Sequence, residues 1–300
     1  MKIATSFRLG FFALAALTLL AGCSDDKTEP SSTEAPAPEA APADAPAADA
    51  AAEADANVVP SKIDISAVRD DARTAMFIPA PSEFQAALKS SNVAVDIRKQ
   101  VKDSDRTLQG KNRSIIALET GVRMANLLLS VQTADKPVLI ARMKRAREGL
   151  VALGSPDDLV KEVDRVVVDF EKDVLSAAEL GPALDVLAEQ IQDDLAEQAD
   201  PAVGTLVQAG GWVQGVNLLS TALADGGMSG DAAALLHQPT VLAYFTAFLK
   251  QSDAGRSGDP DVVAVISEME KMALIAGKDS LSTDDVKSVA AHTAAILAWF

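Results

Sequence analysis

Two histidines, one cysteine and 43 acidic residues bound the chemistry open to this chain of 300 residues. A nitrogen or sulfur metal site needs ligands at cluster spacing, and His237 and His292 stand far apart with no cysteine near either. His237, just before Gln238 and Pro239, reads as a helix-end residue. Asp253, Gly255, Ser257 and Gly258 have the look of the start of a calcium loop. Its twelfth position, however, is Ala264 where a bidentate glutamate is required, and Arg256 intrudes. Ser229 has glycines at 227 and 230, but Asp231 replaces the second glycine of a nucleophile elbow. No glycine-rich loop is built to cradle phosphate. These residues predict no metal, no cofactor and no enzyme activity, although carboxylates alone can do acid and base work.

The most suggestive polar group is a row at helical spacing, Ile116, Glu119, Arg123, Asn126 and Ser130, beside an apolar stripe. Glu119 and Arg123 are four apart in the order that favours an ion pair. The economical reading is structural pairing between helices or a solvated face. The alternative is a polar site in a groove or lumen, with Gln214 and Asn217 as counterparts. Gly121, Gly211 and Gly215 are expected to permit close helix approach, with Trp212 packing beside them as core.

Long amphipathic helices must position these residues. Ile115, Leu118, Val122, Ala125 and Leu129 recur at spacings of three and four. Pro137, Pro156, Pro201 and Pro260 sit where a first-turn proline is tolerated, and Ser155, Asp200 and Asp259 precede the last three as N-caps. Gly154 and Gly277 stand where a left-handed C-terminal residue is wanted. These signals predict helices over 112–133, 136–153, 156–174, 182–198, 201–224, 229–236, 240–252, 260–276 and 283–299, and no strand. Shorter helical stretches are expected before them, through Ile63 to Phe77, through Phe84 and Leu88, and from Val93 to Val101. The expected fold is an all-α multi-helix bundle over 61–300. Gly121, Ala125, Leu128, Leu129, Ser130 and Asp135 reappear ninety positions later as Gly211, Gly215, Leu218, Leu219, Ser220 and Asp225. That periodicity suggests two tandem units of about four helices, 112–198 and 201–299.

The cysteine, Cys23, follows Lys2, Arg8, an apolar run from Phe11 to Leu20 and the small residues Ala21 and Gly22. This is the order of a secretory signal, and the run falls short of the roughly 20 residues a membrane span needs. Leu20, Ala21, Gly22 and Cys23 resemble the lipobox of bacterial lipoproteins. The resemblance implies cleavage before Cys23, acylation of its thiol and membrane attachment through the acyl chains. Ser24 lacks the aspartate that, by enterobacterial sorting rules, retains a lipoprotein at the inner membrane. The expected location is therefore the outer membrane, facing the periplasm. Residues 23–60, after a signal at 1–22, are mostly Ala, Pro, Glu, Asp, Ser and Thr, cannot bury enough surface to order, and read as a tether. Its random-coil reach is about 35 Å. Losing Lys2 and Arg8 would take the net charge from -16 to -18, which disfavours nucleic acid as a partner.

The run Phe77, Ile78, Pro79, Ala80, Pro81, Ser82, Glu83, the helix carrying Gly121, and Gly210, Gly211, Trp212, Val213, Gln214, Gly215 resemble a family of uncharacterised envelope proteins common in Bacteroidetes and related bacteria. Ala80 and Pro81 depart from that family's commoner order, and the family brings no assigned activity. The expected function is a non-enzymatic envelope lipoprotein that binds a protein partner or supports an assembly through its helical surface. A carrier of an apolar ligand between helices and a carboxylate-dependent enzyme are the alternatives. A lumen lined by Leu, Val and Met would favour the carrier, and convergent carboxylates in a cleft the enzyme.

Overall fold

Most helices of the computed structural model begin or end on a residue whose chemistry explains it, over the residues it describes: 100–197, 201–226 and 236–300. Cys23, the signal, the tether, the stretches expected between Ile63 and Lys99, Asp200, Ser229 and the 229–236 helix up to residue 235 lie outside the described residues. Nine helices and no strand occur among the described residues: α1 (Arg113–Ser130), α2 (Lys136–Leu153), α3 (Asp157–Glu171), α4 (Ala177–Glu197), α5 (Pro201–Gly226), α6 (Pro239–Gln251), α7 (Asp253–Ser257), α8 (Pro260–Ala276) and α9 (Thr283–Leu297). The protein is an all-α multi-helix bundle.

Asn112 caps α1 by accepting a hydrogen bond from the Ile115 N–H at 2.9 Å. Asp259 does the same for α8 through Asp261 and Val262. Gly154 ends α2 in the left-handed conformation, φ 79°. Two expected caps fail. Ser155 caps nothing, because α3 starts one residue later than its proline predicts and the Ser155 hydroxyl is buried with no partner. Gly277 ends α8 at φ -81°, in the right-handed region. Helix α4 begins five residues before Pro182, because Glu179 reaches back to the Ser176 N–H at 2.9 Å and fixes the start there. Pro182 then sits inside the helix, where it lacks an N–H to donate. The run from Asp253, whose likeness to a calcium loop Ala264 and Arg256 already argue against, forms α7, capped by Ser252 and closed by Gly258 at φ 73°.

Helices α1 and α5 form the central pair, and both are buried nearly all round. They cross at glycines. A Cβ on Gly121 would overlap the Val207 carbonyl oxygen and come within 2.8 Å of the Gly211 nitrogen, and one on Gly210 would overlap the Leu118 carbonyl. Gly121 and Gly211 therefore lie at the contact, whereas Gly215 does not: a Cβ there meets nothing within 4 Å, because that residue lies beyond the crossing. Trp212 packs in the core against Phe245, ring centroids 6.0 Å apart, and its indole N–H donates to Gln238 at 2.9 Å.

Two arcs of helices close on this pair. Helix α2 packs on α1, α3 on α2, α4 on α3, and α4 returns to α5. On the other side α6 packs on α8, α8 on α9, and α9 lies along α5. Ser130 and Ser220, ninety positions apart, each bond back to carbonyls three and four residues earlier in their own helices. Beyond that pair the two halves are joined differently: α1 takes the next helix as its neighbour, and α5 the last.

Candidate functional site: a polar cavity under a charged strap

Residues 101–111 carry no regular structure and run as a strap across the polar row of α1. Val101 and Leu108 pin the strap to the core, and every other hold is polar. Asn126 donates to the Lys102 carbonyl at 3.3 Å and Arg123 to the Arg106 carbonyl at 3.1 Å. Arg142 Nε lies 3.1 and 3.0 Å from the two Asp103 oxygens, and Arg145 Nη2 lies 2.6 Å from Asp105. Along the strap, Ser104 and Arg106 donate to the main-chain oxygens of Phe300 and Ala298, and Lys111 to that of Trp299.

Beneath the strap lies a cavity of about 800 Å³, walled by Glu119, Arg123 and Asn126 of α1, Arg142 and Arg145 of α2, Gln214, Asn217 and Thr221 of α5, and the end of α9. All five residues expected as a polar site, Glu119, Arg123, Asn126, Gln214 and Asn217, meet at this wall. The solvated face expected as the economical reading is thus overturned. Glu119 is 1% exposed and Arg123 7%, because the strap and α2 cover them. Pairing between helices is present as well, since Arg123 reaches Glu148 of α2 at 3.2 Å.

Donor counting separates the arginines. Arg123 spends all five N–H donors: two on Glu119 at 3.2 and 2.7 Å, and one each on Glu148, the Arg145 carbonyl and the Arg106 carbonyl. It is a structural hub with nothing left to give. Glu119 is held from its other oxygen by Lys111 at 2.8 Å. Arg142 is also buried, 5% exposed, but only its Nε is engaged; Nη1 and Nη2 make no hydrogen bond among the described residues. Arg142, Arg145 and their strap partners were not singled out from sequence.

The α5 wall supplies amides. Gln214 donates to Asn126 Oδ1 at 2.6 Å and Asn217 to Thr293 at 3.0 Å. Because the Lys102 carbonyl requires the Asn126 amino group, Asn126 must offer its oxygen to Gln214, so the amide orientations are set by the network. Gln214 Oε1 is left buried without a donor, as is Gln100 Oε1, also of the cavity lining.

The histidines lie elsewhere. His237 Nε2 donates to the Lys278 carbonyl at 2.5 Å, and His292 Nδ1 meets Glu268 at 2.7 Å, tying α9 to α8. Among the described residues no group of three or more His, Cys, Asp or Glu is placed to hold a metal ion, and no helix is long and apolar enough to cross a membrane. The apolar space between α1, α2, α3 and α4, lined by residues such as Met124, Leu128, Val163 and Ile191, amounts to about 30 Å³. No family model, curated protein or solved structure matches the chain.

Proposed function

We propose that this chain is an envelope lipoprotein anchored through Cys23, and that its helical body is a non-catalytic binding module whose binding site is the polar cavity under the strap. The observation that carries the reading is the cavity itself. Its volume, about 800 Å³, lies within the range of roughly 300–1,000 Å³ typical of small-molecule sites, and its wall carries buried polar groups. The carrier of an apolar ligand has little support, since the Leu, Val and Met lined space holds no more than about a water molecule or two. Acid and base catalysis is also less well supported. Glu119, Asp103 and Asp105 each spend their charge on a neighbouring cation.

The test isolates the full chain from the envelope in its native state. Ala294→Phe places a ring at the cavity wall from an exposed position on α9 and should remove any co-purifying small molecule seen by native mass spectrometry, with the helical circular dichroism unchanged. Retention of that molecule in the variant would overturn the cavity as its site. In the same preparation Cys23→Ser should move the protein to the soluble fraction, and firm membrane attachment of a signal-cleaved Cys23→Ser chain would overturn the anchor.

A further inference from the structure

We propose that the cavity takes a small organic carboxylate, held by the free terminal amino groups of Arg142, with its hydrogen-bond donors facing the amide oxygens of α5. The inference rests on the reading of the cavity as a binding site and names the chemistry of its ligand.

Arg142 carries it. The Arg142 side chain is buried as a whole, but its unpaired terminal amino groups open onto the cavity, where a ligand can reach them. Arg123, one helix away, has all five donors used and none to offer a ligand. Arg142 offers Asp103 only its Nε edge and keeps the planar fork of Nη1 and Nη2 unpaired on the cavity wall. That fork matches the two oxygens of a carboxylate in geometry and charge.

The clustering of cations points the same way. The cavity is lined by the cationic side chains of Lys102, Arg106, Arg123, Arg142 and Arg145 against the carboxylates of Asp103, Asp105, Glu119 and Asp225. In a chain of net charge -16, five cationic side chains gather at this wall. On the opposite wall Asn217 commits its amino group to Thr293 and the Ala290 carbonyl, leaving its oxygen for a hydroxyl or amino group of the ligand.

The experiment titrates the full chain, by calorimetry, with matched pairs that differ at the carboxylate: acetate and acetamide, lactate and lactamide, gluconate and gluconamide, with inorganic phosphate as a separate arm. At least one carboxylate should bind about tenfold to a hundredfold more tightly than its neutral partner, as charge-assisted pairing predicts. Arg142→Gln should abolish that preference. Arg145→Gln, at a more exposed position, should weaken it and guards against misfolding of the first variant. Equal binding of each pair, or a preference that survives Arg142→Gln in a folded chain, would overturn the carboxylate assignment. So would phosphate binding as tightly as the best carboxylate. A neutral or cationic molecule found in the native chain and lost in Ala294→Phe would overturn this inference while leaving the binding-module reading intact.

Discussion

Helix α1 presents two faces with opposite outcomes. On the side of Met124, Leu127 and Leu128 it meets α2, α3 and α4 across a seam with about 30 Å³ of free space, while on the side of Glu119, Arg123 and Asn126 the space is about 800 Å³. Apolar side chains exchange contacts freely, so such a face collapses until it is close-packed. Charged side chains cannot follow, because each hydrogen bond fixes a length and a direction. The polar face therefore stays as wide as its network: Arg123 spans α1, α2 and the strap, and filling the gap would break bonds that the buried groups cannot lose.

The largest break in this comparison comes at the helix crossing that both faces depend on. Gly121→Leu should destabilise the chain by about 3 kcal/mol or more, since overpacking a close contact costs about 1–3 kcal/mol and here the added atoms meet backbone. Chemical denaturation measures it; a loss below that of an ordinary surface change would mean that α1 and α5 cross elsewhere. Gln214→Leu probes the polar wall. It strands Asn126 Oδ1 but also removes an oxygen that has no donor, so the net cost should be about 1 kcal/mol, less than the full penalty for an unpaired buried group. Gly215→Ala should go the other way, with a gain of about 0.5–1 kcal/mol from helix propensity because the new methyl meets open space.

The smallest effect concerns α9, which forms one edge of the cavity. The Lys278 ammonium, then the Ser282 hydroxyl and N–H, hold the Asp285 carboxyl down from 3.8 to about 2. A depressed carboxylate stabilises the fold above its unfolded value and loses that contribution as pH falls from about 4 through about 2. Asp285→Asn should flatten acid sensitivity of the melting temperature in that window, by a modest amount because the group lies near solvent. An unchanged acid profile would show that this capping box carries no net charge linkage.

Much of the helical order was legible because caps and periodicity are local. Helix α2 falls on its expected bounds, and Asp259 and Gly154 act as their types predict. Errors arose where two local signals competed, as at Pro182, where a proline suggested a start that Ser176 and Glu179 had already made. The polar row was visible as a row, but its burial was not. What covers it is a strap whose residues, Lys102, Asp103, Ser104, Asp105 and Arg106, show no period and read as any solvated loop. Arg142 and Arg145 likewise sit in a run with Lys144 and Arg147 that looks like an exposed helix face. Their opposite charges to Asp103 and Asp105 were the available signal, and pairing across nearly forty residues of chain is set by tertiary packing alone.

The central claim is that a buried charge network holds the polar face of α1 open, and a double-mutant cycle on Glu119→Gln and Arg123→Met tests it most directly by denaturant unfolding. Each single change should cost about 3 kcal/mol, because removing one partner leaves the other charge buried. The double change should cost less than the two singles together, with a coupling of about 1–3 kcal/mol. Single costs below about 1 kcal/mol that simply add are what an exposed pair would give, and that result would contradict the account.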